Sequence, residues 1–125
     1  MRVVFDPTRI SYRQLLEVFF LVAHDPTQRD RQGPDVGPEY RAIVFHQDSA
    51  QRLAAESYVA DLTARRVFPR PIVTEIRRLE AFHPAEAFHQ HYAERHPTDP
   101  YIVANDAPKL KRLGQLFPAL YVQEP

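Results

Sequence analysis

The residues best suited to chemistry gather in one stretch, residues 25–39, which carries almost no apolar side chain. It holds Pro26, Pro34 and Pro38, Gly33 and Gly37, and several charges. A polar loop of this length is uncommon in a small domain and is often functional. Gly33 and Gly37 open backbone conformations that other residues avoid. Placed on either side of Asp35, they can hold its carboxylate in one direction. Tyr40, at the mouth of the strand expected next, brings a phenol to the same space. A carboxylate beside a phenol can orient a polar substrate or donate a proton. The residues alone favour a plainer alternative: Asp35 caps a turn and Tyr40 is an ordinary strand residue.

A second group, Glu86, His89, Gln90, His91 and Tyr92, falls on an expected helix over residues 84–94. Glu86 and His89 share a helix face, whereas His89 and His91 point different ways. Zinc needs three or four ligands in a tetrahedron, and no cysteine is available to complete one, so no metal site is expected. The bland reading is a surface helix with one polar residue aimed at a pocket. Other catalytic signatures are missing: no phosphate-binding glycine loop, no Gly-x-Ser-x-Gly elbow and no His-Glu-x-x-His.

Sixteen basic and sixteen acidic residues give a formal charge of +0, which offers nothing to nucleic acid or an anionic membrane. The longest apolar run, Val18-Phe19-Phe20-Leu21-Val22-Ala23, is too short to span a bilayer, and Asp6-Pro7 interrupts any leader, so a cytoplasmic protein is expected. With 44% hydrophobic and 26% charged residues over 125, the chain suits a single folded domain.

The elements that must position these residues follow from spacing. Residues 2–5 read as a short strand stopped by Asp6-Pro7. Because it lies so near residue 1, an earlier element is expected to be missing from this sequence. Ser11 suits an N-cap, and Leu15, Leu16, Phe19 and Phe20 give the next helix its buried face up to about Ala23-His24. Residues 40–45 alternate as a strand. Asp48 or Ser49 caps a helix over about 50–65, with Leu53, Ala54, Ser57, Tyr58 and Leu62 as one face. Ile72-Val73-Thr74-Glu75-Ile76 forms a third strand, and residues 108–117 a short amphipathic segment. The order β-α-loop-β-α-β-α-tail predicts an α/β (α+β) chain, a two-layer sandwich.

In that order the segments resemble one family, the A-type peptide methionine (S)-sulfoxide reductases. The run from Asp6 to Phe19 is similar to the family's Asp-Pro-x-x-Ile-Ser-Tyr-x-x-Leu-Leu-x-x-Phe. His24-Asp25-Pro26-Thr27-Gln28 matches as it stands. Residues 31–41 match Arg-Gln-Gly-Asn-Asp-x-Gly-Thr-Gln-Tyr-Arg, with Pro34 for the usual Asn and Pro38-Glu39 for Thr-Gln. Residues 72–76 match the family's next strand, and Phe82, Ala85, Glu86, His89, Gln90 and Tyr92 its last helix, with Phe88 where Tyr is common. The tail Phe117-Pro118-Ala119-Leu120-Tyr121 resembles members without C-terminal recycling cysteines.

The resemblance implies a ferredoxin-like core and a mechanism. A cysteine thiolate attacks the sulfur of methionine S-sulfoxide, acidic and tyrosine groups polarise its oxygen, and thiols, often from thioredoxin, reduce the resulting sulfenic acid. No other cofactor is implied. Asp35 and Tyr40 match residues that orient the substrate, and His89 matches a histidine beside the pocket. The family's Gly-Cys-Phe-Trp-Gly and Gly-His-Ala-Glu segments would precede residue 1, and the sequence has no Cys and no Trp. Residues 1–125 therefore read as one N-terminally incomplete domain, lacking its first strand and nucleophile and inactive by itself. The alternatives are half of a split reductase completed by another chain, and a non-catalytic module that binds methionine sulfoxide or a protein partner. An exposed sheet edge would favour self-association.

Overall fold

The computed structural model describes residues 1–84 and 98–121. The chain divides into two compact units, Met1–Phe82 and His83–Pro125.

In the first unit, helix α1 spans Tyr12–Val18. Ser11 caps it as expected: its hydroxyl accepts from the Gln14 N–H at 3.0 Å, and the Gln14 side chain accepts from the Ser11 N–H at 2.8 Å. This reciprocal box satisfies two N–H groups that the first turn leaves without helical partners. Ser11→Ala should lower the stability of this unit by about 1 kcal/mol, and Ser11→Asp by much less. Urea unfolding followed by circular dichroism checks both. The helix then widens into a π-helical turn over Phe19–Ala23, which carries the buried Phe20 and Val22.

Four short strands follow. Strand β1 (Arg31–Gln32) pairs antiparallel with β2 (Asp35–Val36), matching Arg31 with Val36 and Gln32 with Asp35. A 3-10 turn spans Pro38–Tyr40. Strand β3 (Ile43–His46) runs parallel to β4 (Glu75–Arg78), with Val44 beside Ile76. Parallel strands need a long crossover. Here it is α2 (Ser49–Ala64), started by Asp48, whose carboxylate accepts from the Gln51 N–H at 2.8 Å.

The core lies between α1, α2 and the β3–β4 pair: Leu16, Phe20, Val44, Ala55, Tyr58 and Leu62 are buried together. Arg13 reaches across the top of it, 3.4 Å from Asp61 and 4.5 Å over the Tyr58 ring. That ion pair is half exposed, so it contributes at most about 1 kcal/mol; the apolar contacts set the packing.

The mixed helix-and-strand class is as expected, but several elements differ. Residues 2–5 join no strand among the described residues, and Val4 is 88% exposed. β-prone side chains alone cannot make a strand without a partner backbone. Residues 40–42 precede the strand instead of opening it, because Pro38 starts a 3-10 turn there. The third strand is shifted to 75–78 by pairing with β3, leaving Ile72, Val73 and Thr74 as an approach to it. On α2 the buried stripe is Ala55, Tyr58 and Leu62, while Leu53 is 58% exposed. Positions 55, 58 and 62 follow i, i+3, i+7, so the face is turned away from Leu53 and Ser57.

In the second unit, a π-helical turn (Ile102–Asp106) leads into α3 (Ala107–Leu116), which Pro108 helps to start and which covers the expected amphipathic segment. The helix expected over residues 84–94, with Glu86, His89 and His91, lies almost wholly outside the described residues.

Candidate functional site

The polar loop is folded into a tight, internally bonded unit. Strands β1 and β2 are linked by Gly33-Pro34, with Gly33 at φ +55°. A two-residue hairpin link needs positive φ at its first central residue, which glycine supplies without strain. Gly37 sits at φ +141°, and a Cβ there would lie 2.7 Å from the Glu39 carboxylate oxygens. Its N–H donates to the Asp30 carbonyl at 2.8 Å, closing the hairpin, and its carbonyl accepts from the Tyr40 N–H at 3.0 Å. Gly37 therefore joins the strand carrying Asp35 to the turn carrying Tyr40.

Side-chain amides fix this hairpin to the segment before it. Gln32 grips both backbone groups of Asp25: Oε1 accepts from its N–H and Nε2 donates to its carbonyl, each at 3.0 Å. The Gly33 N–H donates to Gln28 Oε1 at 3.0 Å. Arg31 Nε donates to the Gly33 carbonyl at 2.8 Å. Asp25 itself forms a turn, accepting from the Thr27 N–H at 2.9 Å and hydroxyl at 2.7 Å. Burial pushes the Asp25 carboxyl up, but the Thr27 bonds and the nearby charge of Arg70 outweigh it and hold it below the usual carboxylate value.

Asp35 is half-buried on β2, and Tyr40 is 39% exposed at the end of the 3-10 turn. Beside them opens a cleft of about 270 Å³ between Gln28, Arg29, Asp30, Arg41, Val73 and Glu75. Neither Asp35 nor Tyr40 forms its wall. Glu75 anchors the far side, 3.8 Å from Arg41 and 2.6 Å from Arg77. His89 lies outside the described residues. Among the described residues no group of three His, Cys, Asp or Glu could hold a metal ion, and no helix is long and apolar enough to cross a membrane.

Sequence reading missed the groups that tie this loop down. His24 Nδ1 lies 2.7 Å from the Phe19 carbonyl and its Nε2 2.8 Å from the Thr74 hydroxyl. Val73 donates to the Pro26 carbonyl at 2.7 Å. The available signal was the run of side chains able to bond backbone, His24, Asp25, Thr27 and Gln28, directly before a glycine turn.

The family model for peptide methionine sulfoxide reductase matches residues 1–119. A protein of Mesorhizobium japonicum named peptide methionine sulfoxide reductase MsrA 2 is 46% identical over 125 residues, covering 100% of this chain and 64% of the relative. One of the same name from Synechocystis is 40% identical over 117 residues, covering 94% and 55%. Among solved structures, reduced Mxr1 from Saccharomyces cerevisiae superposes with a TM-score of 0.69 at 30% identity, covering 76% of this chain and 51% of that one. Methionine sulfoxide reductase A of Corynebacterium diphtheriae gives 0.61 at 32% identity, covering 78% and 50%. The chain thus spans a little over half to just under two-thirds of these curated relatives and about half of the solved chains. With the family model matching nearly end to end, the chain belongs to the peptide methionine sulfoxide reductase family.

Proposed function

We propose that these 125 residues carry the substrate-orienting side of a methionine S-sulfoxide reductase acting on oxidised methionine in peptides and proteins. The phenol of Tyr40 donates to the sulfoxide oxygen, a strong acceptor. The carboxylate of Asp35 accepts an N–H from the substrate main chain and fixes its direction. The attacking thiolate comes from outside these residues, since they include no cysteine. It attacks the sulfoxide sulfur; the oxygen takes up one proton, passes to the cysteine as a sulfenic acid, and the thioether leaves. A thiol then condenses with the sulfenic acid, releasing water. Thioredoxin as that thiol source, and a cytoplasmic setting where thiols stay reduced, belong to the same proposal.

The observation that carries this reading is the Gly37 junction. Its φ of +141° and its bonds to Asp30 and Tyr40 set the only carboxylate of β2 and the only tyrosine of the loop on adjoining short elements. The test is binding. A peptide with methionine S-sulfoxide should bind the chain up to about tenfold more tightly than its reduced or R-sulfoxide forms, as one hydrogen bond to the sulfoxide oxygen warrants. Tyr40→Phe should remove most of that preference in calorimetric titration, whereas Asp35→Asn should weaken the binding of all three peptides. Equal affinity for all three peptides would overturn the proposal.

A further inference from the structure

We infer that His24 is a positioning residue: with Thr74 it forms a latch that holds the Asp35–Tyr40 loop in place. The functional sense of this rests on the substrate-orienting role proposed above, but the latch itself does not.

The geometry fixes the proton. A carbonyl only accepts, so His24 Nδ1 carries hydrogen and donates to Phe19 at 2.7 Å. In the neutral ring Nε2 is then the acceptor, and the Thr74 hydroxyl donates to it at 2.8 Å. The ring is also clamped by aromatic faces: it stacks on Phe19 at 4.0 Å and 28°, and meets Phe20 at 5.3 Å. One side chain therefore joins the end of the widened turn Phe19–Ala23 to the approach of β4.

From there a relay of bonds reaches the site. Two rungs tie residues 24–26 to 73–74: His24 to Thr74, and Pro26 to Val73 at 2.7 Å. Asp25, between those rungs, is gripped on both backbone groups by Gln32. Gln32 pairs directly with Asp35 across the hairpin. Asp35 is thus referenced to the approach of β4 through the two rungs, the Gln32 grip on Asp25 and the β1–β2 pairing. A histidine that only filled space would need neither a defined tautomer nor a hydroxyl partner.

Two readouts test this in the 125-residue chain. Nitrogen-15 spectra of the His24 ring should show Nδ1 protonated and Nε2 bare at neutral pH. Thr74→Val, which keeps the shape but removes the hydroxyl, should speed amide exchange of Gly33 and Gly37 by about fivefold to tenfold, the effect of one buried hydrogen bond acting on local opening. Exchange of the α2 core amides of Tyr58 and Leu62 should stay unchanged, which a merely structural role would not predict. Thr74→Ser should restore wild-type rates, and it serves equally if the valine variant folds poorly, since loosening in the serine variant would contradict the latch. An Nε2-protonated neutral ring, or unchanged glycine exchange in Thr74→Val, would overturn the inference. Titration with the S-sulfoxide peptide separates the two ideas. Weaker binding in Thr74→Val, rescued in Thr74→Ser, supports both. A loosened loop in a chain that shows no sulfoxide preference even as wild type keeps the latch and removes the proposed site.

Discussion

These 125 residues, supplied with dithiothreitol and a methionine S-sulfoxide peptide, are expected to yield no reduced methionine above the buffer rate. Reduction of a sulfoxide moves two electrons and one oxygen atom, and the covalent route needs a sulfur nucleophile that can accept that oxygen. The sequence contains no cysteine, and its single methionine, Met1, is a thioether with no thiolate form. Tyrosine, aspartate and histidine can polarise or orient the substrate but cannot be oxidised to a sulfenic acid. Removing the nucleophile from a covalent enzyme costs on the order of a millionfold in kcat, which places residual turnover below detection. A coupled assay or mass spectrometry of the peptide checks this. Turnover by the pure chain, lost in Tyr40→Phe, would mean that the orienting groups suffice to let dithiothreitol attack directly, and the indispensable role given to cysteine would fall. Binding and turnover are thereby separable: the orienting half of the chemistry should persist where the electron-transfer half cannot.

Part of the polar loop was legible because local rules dominate there. Positive φ at Gly33 and Gly37 follows from residue type, whereas the β1–β2 hairpin inside the stretch read as a loop is set by the pairing of residues 31–32 with 35–36. The Ser11 box and the Asp48 cap were legible for the same reason: each bond spans three residues, so sequence spacing is geometry. What escaped was set by distant partners. The His24–Thr74 bond joins residues fifty apart, and no periodicity encodes it. The β4 register is likewise fixed by pairing with β3 across the α2 crossover, which moved the strand from 72–76 to 75–78. The strand expected at 2–5 does not form among the described residues, because its β-prone side chains find no partner backbone there. Leu53 shows the same limit on a helix: Tyr58 and Leu62 of the expected face are buried, but packing on Phe20 and Leu16 adds Ala55 to that stripe and leaves Leu53 and Ser57 exposed.

That choice of stripe makes Phe20→Ala a severely damaging truncation in the first unit. Phe20 is 0% exposed and meets three rings: Phe19 at 5.4 Å, Tyr58 at 5.8 Å, both edge-on, and His24 at 5.3 Å. Losing a buried phenyl costs about 3–5 kcal/mol through transfer and cavity terms together. A unit of this size has a total stability of roughly 5–15 kcal/mol, so the loss is a large share of it. At about 4–8 °C per kcal/mol, the melting temperature should fall by at least about 12 °C, and the transition should broaden if the core no longer closes. Leu53→Ala is the matched control. Its side chain is 58% exposed, so the change should stay within about 0.5 kcal/mol. Thermal melts of the two variants side by side decide between the two stripes. Comparable losses would return Leu53 to the core and place α2 in the rotation its sequence spacing suggested. A large loss for Phe20→Ala alone would also predict a secondary effect on the loop, because the His24 ring leans on Phe20. In that variant the Gly33 and Gly37 amides should exchange faster even at temperatures where α2 remains folded, tying the loop's order to the packing of the core beneath it.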